Sequence, residues 1–383
     1  MYNSMIIPQK YFKLLMNNRA RAIALYLPQF HPIPENDKWW GAGFTEWTNT
    51  AKAKPMFRGH YQPHIPADLG FYDLRLEETR IAQAELARSA GIEGFCYYHY
   101  WFAGKMLLDR PFREVLELKT PDFPFCLCWA NETWSGIWHG ESSRILIEQT
   151  YPGHSDYLAH FKYLLPAFSD DRYIKVDGKP LFFVYRPLGI PDLDRFVDTF
   201  RELAHQAGLK GLFLVGRNPD PWWNPQAHGF DASNTALMPQ LRPWVSKRKP
   251  FKWAKRHYDE FIGHPTIYTY EDAMLQLIPE KIKGIENFPN VIPNWDNTPR
   301  SGSNGLVLHH STPELFQKHL KSILEFVADK PLEHRVVFIK SWNEWAEGNY
   351  LEPDLRFGHS FLNVVREQLL GIPNSTQLSS EAL

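Results

Sequence analysis

Two glutamates near the end of the chain, Glu344 and Glu347, have the types and spacing that most directly suggest chemistry. They lie in the segment SWNEWAEG (341–348), directly after an apolar run at 336–340. Two carboxyl groups on one side of a turn can cleave a glycosidic bond, and retaining enzymes hold them roughly 5 Å apart. A solvated helix face often has the same spacing, but the bulky apolar flanks favour a catalytic pair.

Polar and aromatic side chains follow several other apolar runs. Aromatic faces stack on sugar rings, and amide, carboxylate and imidazole groups bind hydroxyls. Alternatives stay open: Glu46 could be a solvated loop residue, His31 and His99 could be structural, and Asp296 could stabilise a turn. Glu132 could bind substrate hydroxyls or take part in the chemistry. The predicted substrate-binding residues are His31, Trp40, Glu46, Trp47, Tyr98, His99, Trp101, Trp129, Asn131, Glu132, Trp134, Trp295, Asp296, Asn343 and Trp345.

Short β-type runs alternate with amphipathic helical patterns, which predicts parallel strands joined by helices. Eight runs in a chain of this length favour a (β/α)₈ TIM-type barrel with long loop insertions on its C-terminal face. The sixth run is weak and the seventh contains Pro293. The predicted strands are 22–27, 94–98, 124–129, 180–185, 212–216, 230–232, 291–295 and 336–340.

The helical patterns fall between these runs, except that none is convincing between the fifth and sixth. Long insertions at 28–75 and 234–290 are expected to carry function, since such loops follow strand ends in a barrel. We predict an N-terminal extension at 1–20, a single catalytic domain at 21–371 and a flexible tail at 372–383. The predicted helices are 76–90, 155–168, 193–207, 313–328 and 359–370.

The 383 residues carry a formal net charge of −1, so no global field steers this chain to nucleic acid. Aromatic residues make up 15%, more than a core requires, which favours a ring-lined cleft. The basic run at 246–256 predicts a solvated loop, with contact to a phosphate-bearing substrate or peripheral membrane association as the alternatives. No stretch reaches the roughly 20 apolar residues of a membrane span, and no secretory signal is evident. Three cysteines in apolar runs predict buried reduced thiols and a cytoplasmic location.

Six segments of the chain form a recognisable set. They are YLPQFH (26–31), WGAGFTEWTN (40–49), GFCYYHYWF (94–102), CWANE (128–132), WDNTPR (295–300) and SWNEWAEG (341–348). Together they resemble the WbsX-type proteins of bacterial polysaccharide biosynthesis clusters, often labelled glycosyltransferases, and the resemblance covers about residues 21–371. That group is in turn similar to glycoside hydrolase family 99, mainly through the closing motif and the barrel.

The resemblance implies a retaining mechanism at α-mannoside-like linkages of bacterial surface polysaccharide. In the hydrolase family the first Glu of the closing motif assists the substrate's own 2-hydroxyl, which forms an epoxide-like intermediate. The second Glu acts as general acid and then as base. Carried over, Glu344 takes the first role and Glu347 the second, so Glu344 should be ionised and Glu347 protonated at rest.

Two other functions remain open from the sequence. A sugar-nucleotide-dependent glycosyltransferase could use Asp192-Leu-Asp194 to hold a cation on a diphosphate. We expect this pair mainly to cap the start of a helix, where acidic residues are ordinary. A non-catalytic glycan-binding barrel would need the aromatic platforms but not both glutamates. No metal site or cofactor is expected, because the histidines lack ligand spacing. The expected partner is an oligosaccharide or polysaccharide, with no nucleic acid and no integral membrane segment.

Overall fold

A nearly closed barrel of eight parallel strands forms the centre of the protein. The computed structural model describes residues 19–136, 141–220, 222–235 and 263–372, with the side chains of 141–143 left out. The strands are β1 Arg21–Tyr26, β2 Gly94–Phe102, β3 Phe125–Trp129, β4 Lys179–Val184, β5 Phe213–Asn218, β6 Ala232–Thr235, β7 Asn290–Val291 and β8 Val336–Ile339. They are hydrogen-bonded in the order β6-β5-β4-β3-β2-β1-β8-β7.

The segment before β7 joins the two open edges of the sheet. Ser233 of β6 donates its backbone N–H to the carbonyl of Glu286 at 2.8 Å and accepts from Phe288 at 2.9 Å. The neighbouring β7 is in turn paired in parallel with β8. The predicted TIM-type barrel is therefore confirmed, with a closure that relies on single bridges rather than a full ladder.

The strand residues are mostly buried because both faces of the sheet are covered, and β2, β3, β4 and β8 consist largely of apolar and aromatic residues. Phe183 and Phe338 meet inside the barrel with ring centroids 5.1 Å apart. Alternate residues point outwards, as Tyr26 does when its hydroxyl donates to Gln83 on a surrounding helix at 2.6 Å. Cys96, Cys126 and Cys128 are buried free thiols, as predicted.

Three strand predictions needed correction. The second strand is Gly94–Phe102 instead of 94–98, so His99 and Trp101 lie within the strand rather than after it. The sixth strand is Ala232–Thr235 instead of 230–232, because Phe230 turns out of the sheet to pack against Trp223. The seventh is only Asn290–Val291, because Pro293 has no N–H to extend the ladder.

Helices pack around the barrel, and the five predicted ones are confirmed within two residues at each end. The helix Arg110–Leu118, between β2 and β3, was not predicted. Only a 3₁₀ turn, Pro225–His228, connects β5 to β6, as the missing pattern indicated. The helices are α1 Pro34–Trp40, α2 Glu46–Lys52, α3 Glu77–Ser89, α4 Arg110–Leu118, α5 His154–Phe168, α6 Leu193–Gln206, α7 Tyr270–Met274, α8 Thr298–Ser301, α9 Pro313–Val327 and α10 Ser360–Leu370.

The two long insertions have structure of their own. The loop at 28–75 carries α1 and α2. The described end of the second insertion carries the strand Thr266–Thr269, which pairs in parallel with Leu306–His309 beyond the insertion. The basic run at 246–256 lies outside the described residues, as do 1–18 and 373–383. None of the helices among the described residues is long and apolar enough to cross a membrane.

Candidate active site

The turn that carries the two glutamates follows β8 directly. A short antiparallel pair, Asn343–Glu344 with Asn349–Tyr350, encloses the 3₁₀ helix Trp345–Glu347. Gly348 closes the turn at φ 53°, and a Cβ there would lie 2.8 Å from the backbone nitrogen of Asp296. Glycine is therefore required both by the left-handed conformation and by the close approach. The turn buries both carboxyl groups, with Glu344 4% and Glu347 7% exposed.

Glu344 is held in an environment that favours its ionised form. Its Oε1 accepts a hydrogen bond from Ser341 Oγ at 2.6 Å and lies 3.6 Å from Lys340 Nζ. Burial raises the pKa of this carboxyl, but the Lys340 charge, hydrogen bonds from Glu347 and Ser341 and the Arg300 charge outweigh burial and lower it. Glu344 is therefore an available base at neutral pH.

Glu347 has the opposite tendency. Burial, followed by the negative charge of Glu344, raises its pKa above the ordinary carboxyl value, although Arg300 and Lys340 act to lower it. Arg300 Nη1 donates to Glu347 Oε1 at 2.6 Å. Because this guanidinium is shared with another carboxylate, it does not cancel the effect of burial. Glu347 therefore keeps its proton, hydrogen-bonded to Glu344, and can act as a general acid.

Glu46 is the second carboxylate on Arg300. It is the first residue of α2, is fully buried, and its Oε1 accepts from Arg300 Nη2 at 2.5 Å and from the backbone N–H of Ala346 at 3.1 Å. Burial raises its pKa, while the Arg300 charge opposes that shift. Through Glu46 the long loop after β1 therefore forms one wall of the site.

Beneath the turn, Asn343 hydrogen-bonds to the backbone and Trp345 packs in the core. The Asn343 amide accepts from the N–H of Leu27 at 2.7 Å and donates to its carbonyl at 3.1 Å, which ties the turn to the end of β1. Trp345 Nε1 donates to Glu352 at 2.6 Å, and Trp47 packs on the Trp345 ring. These three predicted residues support the site from below.

Asp296 fixes the loop after β7 against the same turn. Its backbone N–H donates to the carbonyl of Glu347 at 2.7 Å, and its Oδ1 accepts from the N–H and hydroxyl of Thr298. The other oxygen accepts from His60 Nε2 at 2.6 Å and Gln62 at 2.7 Å. The turn-stabilising interpretation of Asp296 is thus confirmed, and its carboxylate is fully occupied within the protein.

Strand alternation separates the aromatic candidates of β2. Tyr98 and Tyr100 face the barrel interior, where burial and the charge of Glu344 raise the pKa of both hydroxyls. His99 and Trp101 face outwards onto α5: His99 Nε2 is 2.8 Å from His160 Nε2, and Trp101 Nε1 donates to Asp156 at 3.1 Å. The structure does not bring His99 or Trp101 to the glutamate pair.

Trp129 shares that outer position, since its indole donates to the carbonyl of Trp101 and packs on His160. The Asn131 side chain is fully hydrogen-bonded to the backbone of Arg186 and to the Tyr151 hydroxyl. Glu132 is 38% exposed and pairs with Arg186 at 2.5 Å. Of this third-strand group, Glu132 alone is open to solvent at the mouth of the barrel.

The remaining predicted substrate-binding residues are His31, Trp40, Trp134 and Trp295. His31 donates Nδ1–H to the carbonyl of Pro28 and sits beside Asp73 and Arg75, away from the glutamates. Trp134 packs edge-on against Tyr100 at 5.0 Å, and Trp40 packs on Phe44. Trp295 lies under the ammonium group of Lys340 at 5.1 Å.

Residues that the sequence analysis did not single out complete the cluster, namely Arg300, Lys340, Ser341, Tyr100 and Tyr185. Two signals could have found some of them. Lys340 is a charged residue at the end of an otherwise apolar strand, and Tyr100 follows Tyr98 at the two-residue period of a strand. Arg300 gives no such signal, because its partners are distant in sequence.

A family model described as "Glycosyltransferase WbsX" matches residues 22–365. The chain belongs to the WbsX family. This confirms the resemblance from the motifs.

Curated relatives are the uncharacterized WxcX proteins of two strains of Xanthomonas campestris pv. campestris, B100 and ATCC 33913. Each is 37% identical over 365 residues, which is 94% of this chain and 51% of the relative. The chain thus spans about half the length of these relatives.

Solved structures agree on the fold. A glycoside hydrolase-like protein matches with a TM-score of 0.57 at 15% identity, covering 92% of this chain and 94% of its own. The family 99 endo-α-mannosidase of Bacteroides thetaiotaomicron matches with a TM-score of 0.54 at 14% identity, covering 91% and 95%. At these identities the likeness concerns the fold alone, so this WbsX family member is a barrel of glycoside hydrolase-like fold.

Proposed function

We propose that this WbsX protein is a retaining glycosidase in which Glu344 is the base and Glu347 the acid/base. Glu344 takes the proton of the substrate's 2-hydroxyl while O2 forms a bond to C1. Glu347 gives its proton to the glycosidic oxygen as the C1–O bond breaks. Water then opens the three-membered ring at C1, giving its proton to Glu347, while Glu344 returns a proton to O2. The two displacements retain the anomeric configuration.

The opposite environments of two adjacent buried glutamates are the observation that carries this proposal. Glu344 has Lys340 and Ser341 to stabilise its negative charge, whereas Glu347 shares its one cation with Glu46. A base and an acid that coexist at one pH need pKa values that their surroundings push apart.

The substrate class is the less constrained part of the proposal. An α-mannoside-like linkage in bacterial surface polysaccharide is supported by the family 99 endo-α-mannosidase neighbour and by the WbsX family description. A cytoplasmic location and the absence of metal and cofactor are further parts of the proposal. Peripheral membrane contact through the basic run at 246–256 stays a prediction.

The decisive experiment omits any activated donor. The purified chain would be incubated with α-mannan-type and O-polysaccharide substrates without nucleotide sugar, and new reducing ends would be counted by NMR. Cleavage by the wild type, lost in a Glu344→Gln/Glu347→Gln double variant, is the expected result. Cleavage that persists in the double variant would contradict the assignment of the pair.

A sugar-nucleotide-dependent transferase is the second candidate, because the family description names that activity. Asp192 and Asp194 give it little support. The Asp192 side chain accepts from the Tyr157 hydroxyl and makes no cap bond to α6, which corrects the expectation that it caps this helix. Asp194 lies exposed on α6. Product formed only when a nucleotide sugar is added would favour the transferase.

A further inference from the structure

One cation at the mouth of the barrel, Arg217, has no carboxylate partner among the described residues. Arg217 is the penultimate residue of β5, and its guanidinium lies 4.1 Å from the centroid of the Tyr185 ring. Of the arginines and lysines that face this mouth in the described part of the chain, Arg186 pairs with Glu132, Arg300 with Glu46 and Glu347, and Lys340 with Glu344. No ion pair of Arg217 occurs among the described residues.

Strand alternation directs Arg217 into the site. Its neighbour in β5, Gly216, fixes the direction: a Cβ on Gly216 would meet Trp223 and Phe230 outside the barrel, so residue 217 points to the inside. Its ring platform, Tyr185, contacts Tyr98 edge-on at 6.3 Å, and Tyr98 in turn lies beside Glu344. Arg217 is also close enough to Lys340 for their like charges to act on each other.

The charges of the site leave one positive charge in excess. Glu344 balances Lys340, Glu46 balances Arg300, and Glu347 is neutral while it keeps its proton. Arg217 is left over, half-buried and held flat on an aromatic ring. A guanidinium fixed in this way loses little freedom when it binds a planar anion with two parallel hydrogen bonds.

From this arrangement we propose that Arg217 is a specificity-determining residue that binds the carboxylate of an acidic sugar unit, a hexuronate, next to the cleaved linkage. A single surplus charge matches a monoanion. The diphosphate of a nucleotide sugar carries at least two negative charges, and the other cations of the site are already neutralised by glutamates. This inference refines the substrate class of the proposed function and rests on it only for the position of the cleaved bond.

The test measures binding of two small probes that differ in the carboxylate alone, methyl α-D-glucopyranosiduronic acid and methyl α-D-glucopyranoside. Saturation-transfer NMR on the full chain would give the dissociation constants. The wild type should bind the uronide at least about tenfold more tightly, and Arg217→Gln should lose that preference, since a hydrogen bond to a charged group is worth about 1.5–3 kcal/mol. Binding of the neutral glycoside should be the same in both proteins.

Two further variants make the result specific. Arg217→Lys keeps the charge but not the planar fork, so it should retain part of the preference. Arg366→Gln, which removes an exposed arginine on α10, should leave both dissociation constants unchanged.

Equal binding of the two probes, binding of neither, or a preference that survives Arg217→Gln would overturn the inference. So would loss of UDP-glucose binding in Arg217→Gln with uronide binding intact, because that pattern indicates a diphosphate site. The proposed hydrolysis is judged separately by the appearance of reducing ends. A chain that binds the uronide through Arg217 and cleaves no glycan would keep this inference and contradict the glycosidase.

Discussion

Buried polar side chains lie on both faces of the barrel wall. Those on the inner face carry charge, whereas a histidine pair on the outer face is neutral. The inner charge cluster consists of Glu46, Arg300, Lys340, Glu344 and Glu347. Each of its carboxyl groups is within 4 Å of a cation or hydrogen-bond donor, and the cluster keeps several full charges.

The outer histidine pair, His99 with His160, lies between β2 and α5 with no counter-ion. Burial lowers the pKa of His99 to about 3 and that of His160 well below its ordinary value, so both rings are neutral. Depth of burial is similar on the two faces. What differs is the presence of compensating charge, and a cluster that holds one carboxyl group ionised beside a protonated one is equipped for proton transfer.

Among the changes that test this contrast, replacing Glu344 should have the largest effect on kcat. Glu344→Gln keeps the shape and removes the base, so kcat should fall by roughly 100- to 10,000-fold. The fall should be similar for good and poor leaving groups, because the 2-hydroxyl must still be activated. Steady-state kinetics on both substrate types measures it. A loss below about tenfold would mean that another group is the base.

Replacing Glu347 should discriminate between substrates. Glu347→Gln should reduce kcat/KM by roughly 100-fold or more on a natural glycan, but should spare kcat/KM for an aryl glycoside with a good leaving group, because cleavage of that first bond needs no proton. The ratio of the two kcat/KM values, variant against wild type, is the readout. Equal losses on both substrates would contradict the acid assignment.

The pH dependence of kcat/KM tests the charges of the inner cluster directly. Activity should fall as pH rises through the raised pKa of Glu347, which then loses its proton, and as pH falls through the lowered pKa of Glu344. Arg300 lowers the pKa of Glu347, so Arg300→Gln should move the alkaline limb to higher pH. Arg300→Lys, which keeps the charge, should move it less. An alkaline limb that stays in place would remove Arg300 from the account.

The outer pair should matter for stability and hardly at all for turnover. His99→Phe leaves His160 without its hydrogen-bond partner in a buried position, which should cost about 1–3 kcal/mol of unfolding free energy. Denaturant unfolding measures that loss, and kcat should stay within about twofold of wild type. A drop in kcat comparable to that of Glu347→Gln would place His99 in the reaction after all.

The same contrast explains what the sequence could and could not predict. The barrel was predictable because apolar runs, helical periods and Gly stops repeat along the chain, and the glutamate turn because it follows the clearest strand. The two-residue period of β2 also distinguishes Tyr98 from His99, but a consecutive run of aromatic residues hides which face is inward.

The long-range pairs were beyond the sequence. Arg300 reaches Glu46 across 254 positions, and His60 reaches Asp296 across 236, so neither pairing leaves a local pattern. The sequence showed no convincing helical pattern between β5 and β6, in agreement with the structure. The helix α4 was not predicted, although its sequence has an amphipathic pattern.

The stereochemistry of the first-formed product tests the central claim most directly. The wild-type chain would be followed by ¹H NMR in the first minutes of cleavage of an α-linked substrate, with the Glu344→Gln/Glu347→Gln double variant as control. A product that appears first as the α-anomer and then mutarotates, with none from the double variant, is the result expected for a Glu344/Glu347 retaining pair. A product that appears first as the β-anomer would contradict the two-displacement mechanism.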